Sequence, residues 1–223
     1  MNEKRTAASM LGWAAAVAMT HPPAALADTE VAEKLTAGVW RSLVLGGTNE
    51  YDFPLTARGQ SRLESYRLDE DSSLRCEPPG MPRAFYNLSP MAFSFEGDTV
   101  TIFYETMDVV RTVHLDADPL PETAPHTPNG HAVGRWEGER LVVDTTHLTA
   151  GETTRDGVPK SERMTLRETF TVEDRDEGRR LIVAMTITDP ENFREPFTTV
   201  NEFALEPEWE LLPFDCQPTE YPR

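Results

Sequence analysis

Asn129 to His147 reads NGHAVGRWEGERLVVDTTH. In this stretch His131, Val133 and Arg135 alternate with Ala132, Gly134 and Trp136, a tight turn falls at Glu137 to Arg140, and Leu141 to Thr146 alternates again. Alternation of period two on both sides of a short polar turn is the pattern of a β-hairpin. The same pattern extends outward through the chain after Pro82. Strands are expected near Phe85 to Phe95, Val100 to Glu105, Val109 to Asp116, His131 to Trp136, Leu141 to Thr146, Met164 to Val172, Leu181 to Thr188 and Phe197 to Leu205. No strong helical periodicity separates them. Short connections favour neighbouring antiparallel pairs, so the expected fold is mainly β, a single antiparallel meander closing into a barrel of about eight strands, with a sandwich as the alternative.

The turns support a meander. Phe95-Glu96-Gly97-Asp98-Thr99-Val100 and Trp136-Glu137-Gly138-Glu139-Arg140-Leu141 share an aromatic, a Glu-Gly-acid turn and an aliphatic that restarts the strand. Glycine supplies the positive φ of a tight hairpin and the acids keep its tip in water. Asp174 to Arg180 is a third, longer hairpin of similar chemistry, and three such turns suggest one end of a barrel.

Upstream, the chain reads differently. Lys4 and Arg5, an apolar run from Ala7 to Met19, and Ala25-Leu26-Ala27 are the three parts of a secretory signal, so residues 1–27 are expected to be removed and the mature chain to be periplasmic or secreted. The apolar run is too short to span a bilayer. Residues 28–82 read as an N-terminal arm of short helices (Glu30 to Thr36, Thr56 to Tyr66), a first strand beginning at Gly38-Val39-Trp40, and breaker-rich loops ending in Pro78-Pro79-Gly80-Met81-Pro82. Residues 83–223 form the barrel body and C-terminal tail. No linker divides the mature chain, which is long enough for one domain with a hydrophobic core.

The chain has 21 basic and 38 acidic side chains and a net charge of −17. That field disfavours nucleic acid and anionic lipid as partners, and no segment after the signal is suited to membrane insertion. Two cysteines, Cys76 and Cys216, stand in an exported chain and are expected to form a disulfide. Neither has a nearby histidine or the C-x-x-C spacing of a redox centre.

Burying a charge without a partner is costly, so ionisable residues on apolar strand faces are the informative ones. Glu168 interrupts Met164, Leu166, Phe170 and Val172, and Arg111 interrupts Val109, Val113 and Leu115. Arg111 and Glu168 are therefore expected to meet inside. The His131, Val133, Arg135 face is read as inward too, and Tyr104 and Asn201 join the predicted interior. A satisfied pair that fixes strand register and a polar cluster in a ligand cavity are both open readings. His131 is the candidate general acid or base, oriented by Glu168 or Asp144. Trp136 is a large apolar anchor and a candidate stacking surface.

Other chemistries lack support. G-x-S-x-G, P-loop and G-x-G-x-x-G motifs are absent, the acidic turns lack calcium-loop spacing, and the histidines show no H-x-H or H-x-x-x-H pair. No metal or cofactor is implied.

The motifs Cys76-Glu77-Pro78-Pro79-Gly80-Met81-Pro82-Arg83, Glu105 to Arg111, Gly130 to Thr145, Glu168-Thr169-Phe170, Asp189-Pro190-Glu191-Asn192-Phe193, and Glu210-Leu211 before Cys216 recur together in one family. Over roughly residues 54–216 the chain resembles functionally uncharacterised exported bacterial proteins that carry G-H-x-x-G-R-W-E-G-D-x-L-V-V-D-T. It departs from their pattern at Glu139, Thr169 and Pro218. The resemblance implies a lipocalin-like β-rich domain and transfers no reaction. By fold analogy it favours binding of a small organic molecule.

The expectation is an internal cavity that holds a small apolar or aromatic molecule. Arg111, Glu168, His131, Tyr104, Arg135, Trp136 and Asn201 are its candidate contacts. The alternative is a cofactor-independent lyase, isomerase or hydrolase using His131, Glu168 and Arg111. The sequence leaves ligand, catalysis and oligomeric state open.

Overall fold

A computed structural model describes residues 24–43 and 51–219, with side chains from Glu30 onward. The secretory signal expected at residues 1–27 lies, up to residue 23, outside the described residues. The elements are α1 (Ala24–Leu35), β1 (Val39–Ser42), α2 (Ala57–Ser65), α3 (Arg83–Tyr86), β2 (Met91–Glu96), β3 (Thr99–Tyr104), β4 (Val109–Leu115), β5 (His131–Trp136), β6 (Arg140–Thr146), β7 (Gly151–Glu152), β8 (Pro159–Lys160), β9 (Thr165–Arg175), β10 (Gly178–Thr188) and β11 (Phe197–Glu206). Nine strands close into a lipocalin-like barrel in the order β1-β11-β10-β9-β6-β5-β4-β3-β2, while β7 and β8 pair apart from it.

Two strand expectations change. The meander is not wholly antiparallel, because β4 and β5 run parallel, with Val113 opposite Ala132 and Leu115 opposite Gly134. Residues 116–130 carry the chain back along the barrel, as a parallel connection requires. Phe85 to Phe95 is not one strand: Arg83 to Tyr86 form a helical turn and β2 begins at Met91. Arg83, Ala84, Phe85 and Tyr86 are all buried, which a strand with one solvated face does not allow.

The strand directions place the β2–β3, β5–β6 and β9–β10 turns at the same end of the barrel, as their common chemistry suggests. Gly97 (φ 56°), Gly138 (φ 62°) and Gly178 (φ 107°) take the positive φ expected there. Helix α1 packs at this end. Val31 and Leu35 join the core, and the Trp40 indole N–H donates to the Leu35 carbonyl at 2.8 Å.

The opposite end collects α3, the β3–β4 and β10–β11 connections, the long segment between β6 and β9, and the part of the arm around Phe53 and Met81. Phe53, Met81, Phe85 and Tyr86 join the barrel core. Residues 28–82 thus contribute Phe53 and Met81 to the barrel core. Thr56 caps α2 by accepting from the Gly59 N–H, and its own hydroxyl donates to the Glu191 carbonyl. Gly59 has no room for a side chain, since a Cβ would lie 2.4 Å from the Asn192 carbonyl oxygen.

Candidate functional site

Inside the barrel, strand alternation turns Val109, Arg111 and Val113 of β4 and Leu166, Glu168 and Phe170 of β9 inward, all buried. Arg111 and Glu168 meet as expected. Nη1 donates to Oε1 at 2.9 Å, Nη2 donates to Oε2, and Nη2 also donates to the Thr145 hydroxyl at 2.7 Å. Both side chains are wholly inaccessible to solvent. Tyr104 lies diagonally beside Arg111 across β3 and β4. Burial pushes its phenol up to about 12, against the opposing pull of Arg111. The Tyr104 hydroxyl and Arg111 Nε are close enough to interact electrostatically, yet neither completes a hydrogen bond among the described residues.

The inward reading of His131, Val133 and Arg135 is corrected. Ala132 and Gly134 are the buried residues of β5, so the alternation is displaced by one, which moves every side chain to the other face. The reason is volume. A Cβ at Gly134 would lie 2.8 Å from Val113 Cγ1, and one at Gly130 would lie 2.7 Å from Thr145 Cγ2. Small residues on β5 let the side chains of β4 and β6 close over it, and Arg111 spans that strand to reach Thr145 and Glu168. The larger, polar alternates then face outward.

Arg135 accordingly pairs with Asp144 and Glu137 at the surface, and Arg167 also reaches Asp144. His131 stacks on His114, with ring centroids 5.6 Å apart, away from Glu168. His126 and His147 form a second ring contact at 5.3 Å on the same side of the molecule. His131 therefore meets neither carboxylate proposed to orient it. Trp136 stacks on Phe95 near the turn end. Asn201 is buried and its Oδ1 accepts from the Tyr51 hydroxyl at 3.1 Å.

Burial, then the neighbouring His114 and His147, hold the His131 imidazole below its ordinary value of 6.5. The unfolded chain therefore binds this proton at higher pH than the folded one. The resulting stabilisation is complete above the unfolded value and is lost as pH falls through the folded value. Denaturation midpoints measured from about pH 7 to about pH 5 should fall less steeply in His131→Gln than in the parent. An identical slope would show that His131 does not contribute.

One opening lies at the irregular end of the barrel. A cleft of about 780 Å³ is enclosed by the arm, α3, the segment around Thr154 to Val158 and the C-terminal tail. Its aromatic wall comprises Tyr51, Phe53 and Tyr86, with the Tyr51 and Tyr86 rings 5.0 Å apart at 66°. The Tyr86 hydroxyl bonds to the Thr199 hydroxyl at 3.1 Å, and burial raises its pKa, with Glu168 contributing in the same direction. Neither Arg111 nor Glu168 lines the cleft. The cleft thus lies at the barrel mouth, apart from the Arg111–Glu168 pair at the barrel centre on which the sequence expectation rests.

Arg83 supplies the polar wall. It is 4% exposed and donates in a fork to Asp71, Nη1 to Oδ1 at 3.0 Å and Nη2 to Oδ2 at 2.6 Å. Burial alone would raise the Asp71 carboxyl, but hydrogen bonds from Arg83 and Ser73 hold it down to about 2. The tail that closes the cleft is fixed by the Cys76–Cys216 disulfide, which forms as the cysteine count implies. Arg83, Tyr86, Tyr51 and Phe53, which line the cleft, are not among the candidate residues expected from the sequence. The only available signal was Pro82-Arg83, which closes the proline-rich motif after Cys76. Among the described residues no group of three or more His, Cys, Asp or Glu is placed to hold a metal, and no helix is long and apolar enough to cross a membrane.

Compared with protein-family models, curated proteins and solved structures, the chain matches none, so the general lipocalin-like form of the barrel is what its structure adds to the sequence resemblance.

Proposed function

We propose that this protein binds a small, largely apolar or aromatic molecule in the cleft at the barrel mouth. The observation that carries this reading is the aromatic wall of Tyr51, Phe53 and Tyr86 in an opening of about 780 Å³, within the size range of small-molecule pockets. The Arg111–Glu168 pair ties β4 to β9 across the barrel interior and lies outside the cleft lining. An exported location agrees with the Cys76–Cys216 disulfide, since such bonds persist in oxidising compartments. No observation favours proton transfer, because Glu168 is held by Arg111 and His131 lies on the outer face.

Nile red, a neutral apolar dye, tests the site. It should show one saturable binding event with the full chain, and Thr154→Trp, which fills the cleft from its rim, should weaken binding at least tenfold. Non-saturable binding, or an affinity untouched by Thr154→Trp, would refute the assignment.

A further inference from the structure

The chemical class of the ligand follows from what the cleft offers it. Four lining side chains are aromatic, Tyr51, Phe53 and Tyr86 on the barrel side and Phe214 on the tail. The tyrosine hydroxyls are engaged elsewhere: that of Tyr51 donates to Asn201 Oδ1, and that of Tyr86 bonds to the Thr199 hydroxyl. These residues thus present ring surface to a ligand. The polar donors of the lining are committed as well. Arg83 is forked onto Asp71 and reaches the Ser73 hydroxyl at 3.3 Å, the Asn87 amide donates to the Thr106 hydroxyl, and the Gln217 amide donates to Asp215.

Charge then decides the sign of the ligand. With Arg83 neutralised by Asp71, the exposed charges of the lining are Arg155 against Asp156 and Asp215, one cation against two anions. Residues 207–219 of the tail carry Glu208, Glu210 and Asp215 and no basic side chain. That tail rests on two more carboxylates, Glu105 accepting from the Leu212 N–H and Asp108 from the Phe214 N–H. The mouth therefore lies in a negative field, in a chain of net charge −17. Aromatic faces attract cations through their quadrupole, so ring surface and field favour the same sign of charge. An anion would lose hydration here with little to replace it.

We infer that the cleft takes an aromatic organic cation, a ring system bearing an ammonium group, with Tyr51, Phe53, Tyr86 and Phe214 against the ring and Asp156 and Asp215 attracting the charge. This rests on the cleft being a small-molecule site. The apolar body enters between the barrel and tail walls while the ammonium stays at the exposed rim. There it keeps much of its hydration, so the attraction is not offset by the cost of burying a charge. Asp156 and Asp215 act as the specificity-determining groups, and a neutral dye reports on the aromatic walls alone.

A pair of probes of one shape and opposite charge decides the point. Equilibrium dialysis of the full chain at low ionic strength should show (2-naphthylmethyl)trimethylammonium bound about tenfold more tightly than 2-naphthylmethanesulfonate. Thr154→Trp should weaken the cation, which places it in the cleft. Asp156→Ser with Asp215→Asn should cut the preference to about threefold or less. Asp176→Asn with Glu177→Gln makes the same change of net charge at the β9–β10 turn, at the far end of the barrel, and should leave the preference in place. All four side chains are exposed, so these variants retain the fold. A preference that survives the rim variant, or that both double variants lower alike, overturns the inference. Nile red binding without any preference for the cation also overturns it and leaves the cleft assignment in place. No binding of either probe, together with no Nile red binding, overturns the small-molecule reading itself.

Discussion

Glu168→Gln should destabilise the protein by about 3–5 kcal/mol, the cost of leaving one member of a buried ion pair without its counter-charge. The Arg111 guanidinium has nowhere to go. It lies at the barrel centre, wholly inaccessible to solvent, with Thr145 as its remaining acceptor and a Tyr104 hydroxyl that does not complete a hydrogen bond to it. Against a total stability of about 5–15 kcal/mol, such a loss moves much of the unfolding transition toward zero denaturant. Removing both charges is a different experiment. Arg111→Met with Glu168→Leu replaces the pair by apolar groups of similar length, and a pair of this kind often gives way to hydrophobic residues at little cost. The double variant should therefore recover most of the loss. Urea midpoints of parent, single and double variants measure both results. A single-variant loss below about 1 kcal/mol would mean that water reaches Arg111 when Glu168 is neutralised.

This pair was legible because each of its strands leaves no doubt about which face is apolar. Three aliphatic or aromatic residues flank Arg111 and four flank Glu168 at alternate positions, so burial of the charge followed from periodicity alone. Strand β5 lacks that asymmetry. One of its faces offers Val133 between His131 and Arg135, the other offers Ala132, Gly134 and Trp136, and a hydropathy reading prefers valine to glycine. What settled the matter was the volume of Val113, Leu141 and Thr145 on neighbouring strands. Single-strand patterning does not contain that information. The β4–β5 seam escaped for a related reason. Residues 116–130 hold no helix to announce a crossover, so a long loop and a parallel return looked alike. The cleft was least visible. Its walls come from Tyr51 and Phe53, from Arg83 and Tyr86, from Thr154 to Val158 and from Phe214 to Thr219, segments without periodicity that only closure of the barrel brings together.

Severing the Cys76–Cys216 disulfide should affect both stability and binding, and the two effects separate its roles. The bridge spans a sequence separation of 140 and closes most of the described chain into one loop. In the chain-entropy model a loop of that size is worth about 4–5 kcal/mol through restriction of the unfolded state. The native tail also gains freedom once the bridge is cut, which reduces the net loss. Beyond β11 the described part of the tail, to residue 219, has no strand or helix. It is attached through the Leu212 N–H to Glu105, the Phe214 N–H to Asp108 and the Thr219 N–H to the Leu74 carbonyl, the two carboxylate contacts being solvent-exposed. Bonds of this kind contribute about 0.5–1.5 kcal/mol each, too little to hold 13 or so residues in one conformation against an entropy cost of about 1–2 kcal/mol per residue. Cys76→Ser with Cys216→Ser should therefore lower stability by roughly 2–4 kcal/mol while leaving a folded barrel. Because Phe214 to Thr219 form one side of the cleft, release of the tail opens it, and Nile red affinity should fall at least tenfold at a pH and temperature where the variant is fully folded. Reduced stability with unchanged dye affinity would show that the tail stays in place without its covalent tie, and that the bridge acts on the unfolded chain alone.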